Sequence, residues 1–221
     1  MEAELLRVSP RALDALRAEI VEVGRRLHDK GLITAAEGNV SVRIENGLLV
    51  TAGGVSKGFL TPELVVETSE DGRGPEGGPR VSSEIAMHVA IYRRRPDVRA
   101  IVHAHPPAAT AFAVAHVPLD QPLLAECVLL LGPVPLVPYA PPSTADLAEA
   151  VGAAFSDANA VLLANHGAVA VGETLSRAHQ RMETLEHVAR VTLLTRLLGQ
   201  ARPLSPEDVE GLLRLTGAPY R

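Results

Sequence analysis

The stretch AIVHAHPP, residues 100–107, is the part of the sequence from which the fold prediction follows. Its apolar beginning predicts a buried strand over residues 100–105, and the paired prolines predict the start of a helix. A second apolar run, AVLLAN at residues 160–165, predicts another buried strand. A histidine stands at the end of each run, so the sequence places residues capable of chemistry at the ends of two buried strands.

Apolar residues at helical or alternating spacing extend this pattern along the chain. Helices are predicted at residues 10–31, 82–94, 143–155, 174–198 and 205–215, with one more beginning at 106–107. Strands are predicted at residues 40–44, 48–51, 64–68, 100–105, 134–139, 160–165 and 168–171. Ser143 and Asp146 have the spacing of a capping box. Since strands and helices mix without strict β-α-β alternation, we expect an α/β fold, a single domain over residues 1–221 with a central mixed sheet flanked by helices.

The composition excludes several kinds of chemistry. The 221 residues carry a formal net charge of −5, which offers no basic surface for nucleic acid or an anionic membrane. The single cysteine, Cys127, rules out thiolate clusters and a disulfide framework, and Lys30 and Lys57 leave few candidates for Schiff-base chemistry. Eight histidines remain. Because the N-terminus also lacks a basic and apolar leader, we expect a cytoplasmic protein that uses histidine and carboxylate chemistry.

Three histidines have positions typical of metal ligands. His103 and His105 are two residues apart in a strand, so both imidazoles point to one side and can reach one ion. A pair of structural histidines, one hydrogen-bonded and one exposed, is the alternative. His166 follows the second buried strand, and Gly167 permits a tight turn that leaves the imidazole free. Three histidines on a divalent cation would leave open positions, as in catalytic sites, whereas a turn histidine without a ligand role is the alternative.

Ser82, Ser83 and Glu84 lie at a predicted helix start. Glu84 there is typical of N-terminal capping and of the positive end of the helix dipole, but it also suits a general base near a metal. The two serines, with free backbone N–H groups, suit an anion such as phosphate. Spacing alone leaves both interpretations open.

A glycine-rich region holds a second group of candidates. Asn39 precedes the first predicted strand, where it either belongs to a turn or holds a substrate oxygen. Gly53, Gly54 and Gly58 form a loop around Lys57, whose ammonium either neutralises a phosphate or is simply solvated.

The other five histidines receive structural interpretations. His28 suits the end of a helix, and His88 is expected to pair with the carboxylate one helical turn before it. The rest lack ligand-like spacing and are interpreted as structural or surface residues: His116, His179 and His187.

Four motifs occur in order along the chain: Gly38-Asn39-Val40-Ser41-Val42-Arg43, Ser82-Ser83-Glu84, His103-Ala104-His105 and Asn165-His166-Gly167. Together they resemble the class II aldolase and adducin family, in particular its L-fuculose-1-phosphate aldolase branch, over about residues 10–200. The resemblance implies a mainly antiparallel sheet flanked by helices. It also implies a homotetramer with active sites at subunit interfaces.

The resemblance implies roles for individual residues. Zn²⁺, or another divalent cation, would be bound by His103, His105 and His166, and Glu84 would be the acid/base residue. A sugar phosphate would be held by Asn39, Gly54, Ser82 and Ser83. The implied reaction cleaves a phosphorylated ketose, similar to fuculose 1-phosphate, to dihydroxyacetone phosphate and an aldehyde.

Three positions depart from the family's pattern. Ala36 and Gly53 stand where the family carries hydroxyl side chains, which removes two donors to the phosphate. Leu124 lies near the position of the family's catalytic tyrosine, and Tyr139 and Tyr220 are the candidates to replace it. These departures leave the physiological substrate open.

Other functions also fit the sequence at this point. Methylthioribulose-1-phosphate dehydratases keep a glutamate and three histidines, so dehydration is one alternative. A non-catalytic adducin-like binding domain is another, although such domains have lost the metal histidines. A metal-dependent hydrolase is the third. Pentulose-phosphate 4-epimerases carry Asp where Glu84 stands, which disfavours epimerisation.

Overall fold

A seven-stranded sheet runs through the protein in a computed structural model that describes residues 9–216. The strands are β1 (Asn39–Ile44), β2 (Gly47–Thr51), β3 (Val65–Thr68), β4 (Ala100–Ala104), β5 (Leu136–Val137), β6 (Ala160–Leu163) and β7 (Gly167–Gly172). The helices are α1 (Pro10–Asp29), α2 (Ile85–Arg94), α3 (Pro107–Val114), α4 (Ala145–Ala154), α5 (Leu175–Leu197) and α6 (Pro206–Thr216). Short 3-10 turns occur at Lys57–Phe59 and Pro62–Leu64, and a π-helical turn at Cys127–Leu131.

The sheet order confirms the predicted mixed, mainly antiparallel α/β fold. The strands follow the order β3-β2-β1-β4-β7-β6-β5, and within residues 9–216 the β5–β6 pair is the parallel one. In the centre, Asn39 of β1 lies directly opposite His103 of β4, which in turn lies opposite Val169 of β7. The register therefore brings together three motifs that are far apart in the sequence.

Helices cover both faces of the sheet. Val102 and Ala104 of β4 pack in the apolar cluster formed with α1, α3 and α5. Ile101 packs in the cluster formed with α2 and α4. Because side chains alternate along a strand, His103 shares the face of Ile101 and is directed toward the α2 side. None of the helices described for residues 9–216 is long and apolar enough to cross a membrane.

Two predicted element boundaries are wrong for local reasons. Thr144, not Ser143, is the N-cap of α4: its side chain accepts the Leu147 N–H at 3.3 Å. Ser143 itself has a φ of 65°, outside the extended conformation usual for an N-cap. The strand predicted at residues 134–139 is reduced to β5, because prolines on either side cannot donate to a neighbouring strand.

Candidate active site

Three imidazoles meet where β4 ends and the β6–β7 turn begins. His103 is on β4, His105 follows it, and His166 is in the turn. The three pairs of ring centroids are 4.9–5.0 Å apart, and His103 Nε2 is 3.2 Å from His105 Nε2. Nitrogens about 2.0–2.1 Å from a tetrahedral ion are separated by about 3.3–3.4 Å. The spacing of these nitrogens therefore fits ligands of one metal ion.

His103 and His105 are arranged to bind the same ion. His103 is fully buried, and its Nδ1 lies 2.9 Å from the Ala168 carbonyl oxygen, which can only accept. His103 therefore carries a proton on Nδ1, which leaves Nε2 as the atom directed at the cluster. Burial, helped by the charges of His103 and His166, lowers the pKa of His105 to about 4, so this ring is neutral at neutral pH. A divalent cation binds the neutral form of an imidazole, which His105 already supplies.

Glu84 lies beside the histidine cluster. Its Oε2 is 3.1 Å from His103 Nε2 and its Oε1 is 3.2 Å from His166 Nε2. Asn39 Nδ2 donates to Oε2 at 3.0 Å. Burial raises the pKa of this carboxyl group, but the hydrogen bonds and charges of His103 and His166 outweigh it and hold the pKa well below its usual range. Glu84 is therefore an ionised acceptor within reach of anything bound by the histidines.

The capping interpretation of Glu84 is wrong. Helix α2 begins at Ile85 rather than at Ser82, and Glu84 occupies the N-cap position without a side-chain capping bond. Ser82 Oγ instead accepts the Glu84 N–H at 3.4 Å. Because the carboxylate is directed at Asn39 and the histidines, it cannot fold back onto its own helix.

A glycine allows β1 to start close to β4. Gly38 has a φ of 71°, and a Cβ at this position would lie 2.8 Å from the His103 carbonyl oxygen. Glycine avoids both problems because it has no Cβ. The Gly-Asn pair therefore lets Asn39 enter the sheet directly opposite His103.

Gly167 is needed for a different reason from the predicted tight turn. A Cβ at Gly167 would lie 2.6 Å from both the Ala104 carbonyl oxygen and His105 Cδ2, so close approach of β4 excludes a side chain. The turn conformation belongs to Asn165, which has a φ of 55°. Its Oδ1 lies 2.7 Å from His116 Nε2, a contact that links the end of α3 to the His166 turn.

The cluster forms one wall of a cavity of about 240 Å³. Seven of the predicted site residues line this cavity: Asn39, Gly54, Ser82, Ser83, Glu84, His105 and His166. His103 is buried behind them. Ala36 and Gly53, the positions without the family's hydroxyls, also line it.

Lys57 also lines this cavity, and the interpretation that its ammonium is simply solvated is wrong. The residue is only 1% exposed, and its Nζ donates to the carbonyl oxygens of Ala36 at 2.9 Å and Val55 at 2.7 Å. Burial lowers the pKa of the ammonium, while Glu37 and Glu84 oppose that change. An ammonium has three N–H donors, so one remains beyond the two carbonyl bonds.

Of the two tyrosine candidates, Tyr139 is described, and it is not among the residues that line the cavity. Leu124 packs against the apolar core. Tyr139 is 58% exposed and precedes Pro142 and Ser143, which line the cavity. Tyr220 lies outside the described residues.

The other histidines lie outside the cluster. The predicted pairing of His88 with Glu84 is wrong, because His88 Nδ1 contacts Ser41 Oγ at 2.7 Å. His179 Nε2 lies 3.0 Å from a carboxylate oxygen of Glu183. His187 is exposed.

Residues 18–193 match the family described as the class II aldolase and adducin N-terminal domain. A 5-deoxy-D-ribulose 1-phosphate aldolase of Bacillus thuringiensis serovar kurstaki is 33% identical over 201 residues, 90% of this chain and 93% of that protein. A 3-oxo-tetronate 4-phosphate decarboxylase of Escherichia coli K12 is 34% identical over 186 residues, 81% of this chain and 87% of that protein. The solved L-fuculose-1-phosphate aldolase from Thermus thermophilus is 39% identical with a TM-score of 0.76, covering 86% of this chain and 98% of that one. The chain therefore belongs to the family of class II aldolases and adducin N-terminal domains, and it is a metal-dependent lyase of that family.

Proposed function

We propose that this protein is a zinc-dependent aldolase that cleaves a phosphorylated ketose to dihydroxyacetone phosphate and an aldehyde. The observation that carries the proposal is the position of Glu84, whose ionised carboxylate lies within 3.2 Å of two of the three clustered histidines and lines the cavity. The names of the Bacillus and Thermus relatives support the reaction and a sugar-phosphate substrate.

The metal would be held by His103, His105 and His166. When bound, a divalent cation supplies Lewis acidity toward the carbonyl and hydroxyl oxygens of the substrate. Zn²⁺ suits three imidazole ligands, and other divalent ions bind such sites as well.

Glu84 would move the proton. In the synthetic direction its carboxylate would remove a proton from the carbon of the three-carbon fragment that attacks the aldehyde. In cleavage the substrate hydroxyl that becomes the aldehyde oxygen would give up its proton, the carboxylate would take this proton up, and it would then deliver it to the same carbon after the carbon–carbon bond breaks. The hydrogen bond from Asn39 Nδ2 would keep the carboxylate aimed at the substrate.

The phosphate group would be held by Asn39, Gly54, Ser82 and Ser83, which line the same cavity. Ser82 is buried, and Gly54 has a φ of 73°, a backbone conformation that favours glycine. Lys57 would supply the positive charge, and its remaining N–H would partly replace the hydroxyls missing at Ala36 and Gly53.

A panel of phosphorylated ketoses tests the proposed reaction. We expect triose phosphate from at least one of them, measured by a coupled NADH assay. A dehydrated ketone would instead indicate the dehydratase alternative, and release of inorganic phosphate a hydrolase. Carbon dioxide from a phosphorylated 3-oxo acid would indicate a decarboxylase, which the Escherichia coli relative makes a specific second candidate. If no substrate gives triose phosphate, the aldolase proposal is wrong.

Replacing Lys57 tests the charge at the phosphate side. We expect Lys57→Met to raise KM for the phosphorylated substrate about 10- to 100-fold, because a partly buried attraction between opposite charges is lost. Steady-state kinetics would measure KM, and Lys57→Arg, which keeps the charge, should retain more of the affinity. Lys30→Met is the matched control, since the other lysine is exposed and pairs with Glu183. An unchanged KM in folded Lys57→Met would exclude the role.

Organisation and location are part of the proposal. We propose one domain over residues 1–221 that forms a homotetramer with active sites at subunit interfaces and works in the cytoplasm. Light scattering on the purified protein measures the oligomer, and a monomer with full activity would exclude interfacial sites. A purely non-catalytic adducin-like role does not suit a metal-dependent lyase that keeps all three histidines.

A further inference from the structure

Helix α2 packs on β1 through polar side chains at successive positions. Four residues of a helix rise about 6.0 Å and two residues of a strand about 6.6 Å, so the two rows stay in step. We refer to these residues as the polar seam: Glu84 at the N-cap of α2, His88 and Tyr92 within α2, and Asn39, Ser41 and Arg43 on β1. The other buried α2 residues are apolar and include Met87, Val89 and Ile91.

The facing residues of α2 and β1 in the polar seam are joined by specific contacts. Asn39 Nδ2 donates to Glu84 Oε2 at 3.0 Å. One turn further along α2, His88 Nδ1 is 2.7 Å from Ser41 Oγ, and Tyr92 Oη is 2.8 Å from the same hydroxyl. Ser41 and His88 are fully buried, and Tyr92 nearly so. A buried polar group that loses its hydrogen-bond partner costs free energy. A displacement of α2 along β1 would separate each of these pairs among apolar neighbours, and it is therefore disfavoured.

The hydrogen bonds around Ser41 can form one directed chain. Burial raises the pKa of Tyr92, so its hydroxyl stays protonated and can donate. Within residues 9–216 its hydrogen-bond partner is Ser41 Oγ. In the chain in which Tyr92 donates to Ser41, Ser41 donates its own proton to His88 Nδ1 and His88 carries its proton on Nε2, for which the described residues offer no partner. At the end of the seam the Arg43 guanidinium stacks over the Tyr92 ring, 4.7 Å from its centroid, and Nη2 donates to the Tyr92 carbonyl oxygen.

We propose that the polar seam positions Glu84, with Tyr92, Ser41 and His88 fixing where α2 lies along β1. The proposal rests on the acid/base role of Glu84 given above. Glu84 is at the N-cap position of α2 and has no capping bond of its own to hold it. A displacement of α2 would therefore move the carboxylate relative to His103 and His166, and a reacting group misplaced by about 1 Å can cost about 10²-fold in rate.

The tautomer of His88 tests the directed chain without any substrate. Nitrogen-15 NMR of protein labelled at histidine distinguishes a proton on Nε2 from one on Nδ1, and the His88 signals are assigned by their loss in His88→Gln. We expect the resting protein at neutral pH to carry the His88 proton on Nε2. A proton on Nδ1 would overturn the chain, whatever reaction the enzyme catalyses.

Tyr92→Phe tests the positioning role, because it removes one hydroxyl and keeps the ring. We expect kcat to fall about tenfold with KM and bound metal unchanged. If the seam acts through Glu84, the same substitution should have little effect in the Glu84→Gln background, where the proton transfer is already lost. Ile91→Val is the matched control on the same helix, since it loses only apolar packing, and we expect its kcat to be unchanged.

Two results would overturn the positioning role. One is an unchanged kcat in Tyr92→Phe; the other is a tenfold loss that persists in the Glu84→Gln background. If Tyr92→Phe does not fold, Ser41→Ala/His88→Leu/Tyr92→Phe replaces all three polar groups that meet at Ser41, which is better tolerated than leaving one buried partner alone. The same two comparisons then apply to the triple variant.

Discussion

Glu84→Gln is expected to lower kcat by about 10²–10⁴-fold, the contribution typical of a positioned acid/base group. Glutamine has nearly the same shape but cannot accept and return a proton. The three imidazoles are untouched by the change, so the variant should keep its metal. The measurement is kcat with the ketose phosphate that gives triose phosphate, together with metal content per chain by elemental analysis.

Glu183→Gln is the control for this prediction. Glu183 is a carboxylate on α5 that pairs with Lys30 and His179, outside the cavity. We expect its kcat to be close to that of the unmodified protein. Normal turnover in Glu84→Gln would show that another group moves the proton, while loss of metal together with activity would mean that Glu84 acts chiefly as a ligand.

The position of the histidines could be predicted because it depends on local rules. Side chains two residues apart in a strand point to the same side of the sheet, and a continuous apolar run marks a strand that is buried on both faces. His105 lies one residue beyond the end of β4, yet its Nε2 is 3.2 Å from that of His103, as the first rule predicts. His166 follows an apolar run that satisfies the second rule. What local rules could not supply is the strand order, which places β7 beside β4 and brings His166 to the other two.

Glu84 shows where local sequence is ambiguous. Serine followed by glutamate at a helix start is typical of capping, and the same residues suit a carboxylate near a metal. The contact that turns the side chain away from capping comes from Asn39, 45 residues earlier in the chain. The contact of His88 is hidden for the same reason, since the helical spacing to Glu84 is visible in the sequence and the hydroxyl of Ser41, 47 residues away, is not.

The burial of Lys57 could not be predicted because its loop carries no periodicity. Glycine-rich loops are usually exposed, and lysine is rarely buried without partners. Here both partners are backbone carbonyls, which the identity of Ala36 and Val55 does not reveal. The burial of the ammonium depends on how two loops meet, so it could be found only in the folded chain.

Removing the metal is the second change with a large expected effect. Dialysis against a chelator should lower activity by about 10³-fold or more, because several kcal/mol of transition-state stabilisation are lost with the cation. Adding back Zn²⁺ should restore activity, and parallel tests with other divalent ions would identify the one preferred. Full activity after complete removal would exclude a metal-dependent reaction at this site.

The same experiment has a readout that needs no substrate. A ligand that binds only the folded state stabilises it by about 4 kcal/mol at a concentration 1,000 times its Kd, so Zn²⁺ should raise the melting temperature of the metal-free protein. His166→Asn removes one of the three converging ligands and should abolish most of that rise. His187→Asn, at an exposed histidine outside the cluster, should keep it. Equal stabilisation of both variants would mean that the cation binds elsewhere, since His166 contributes a nitrogen to the cluster and His187 does not.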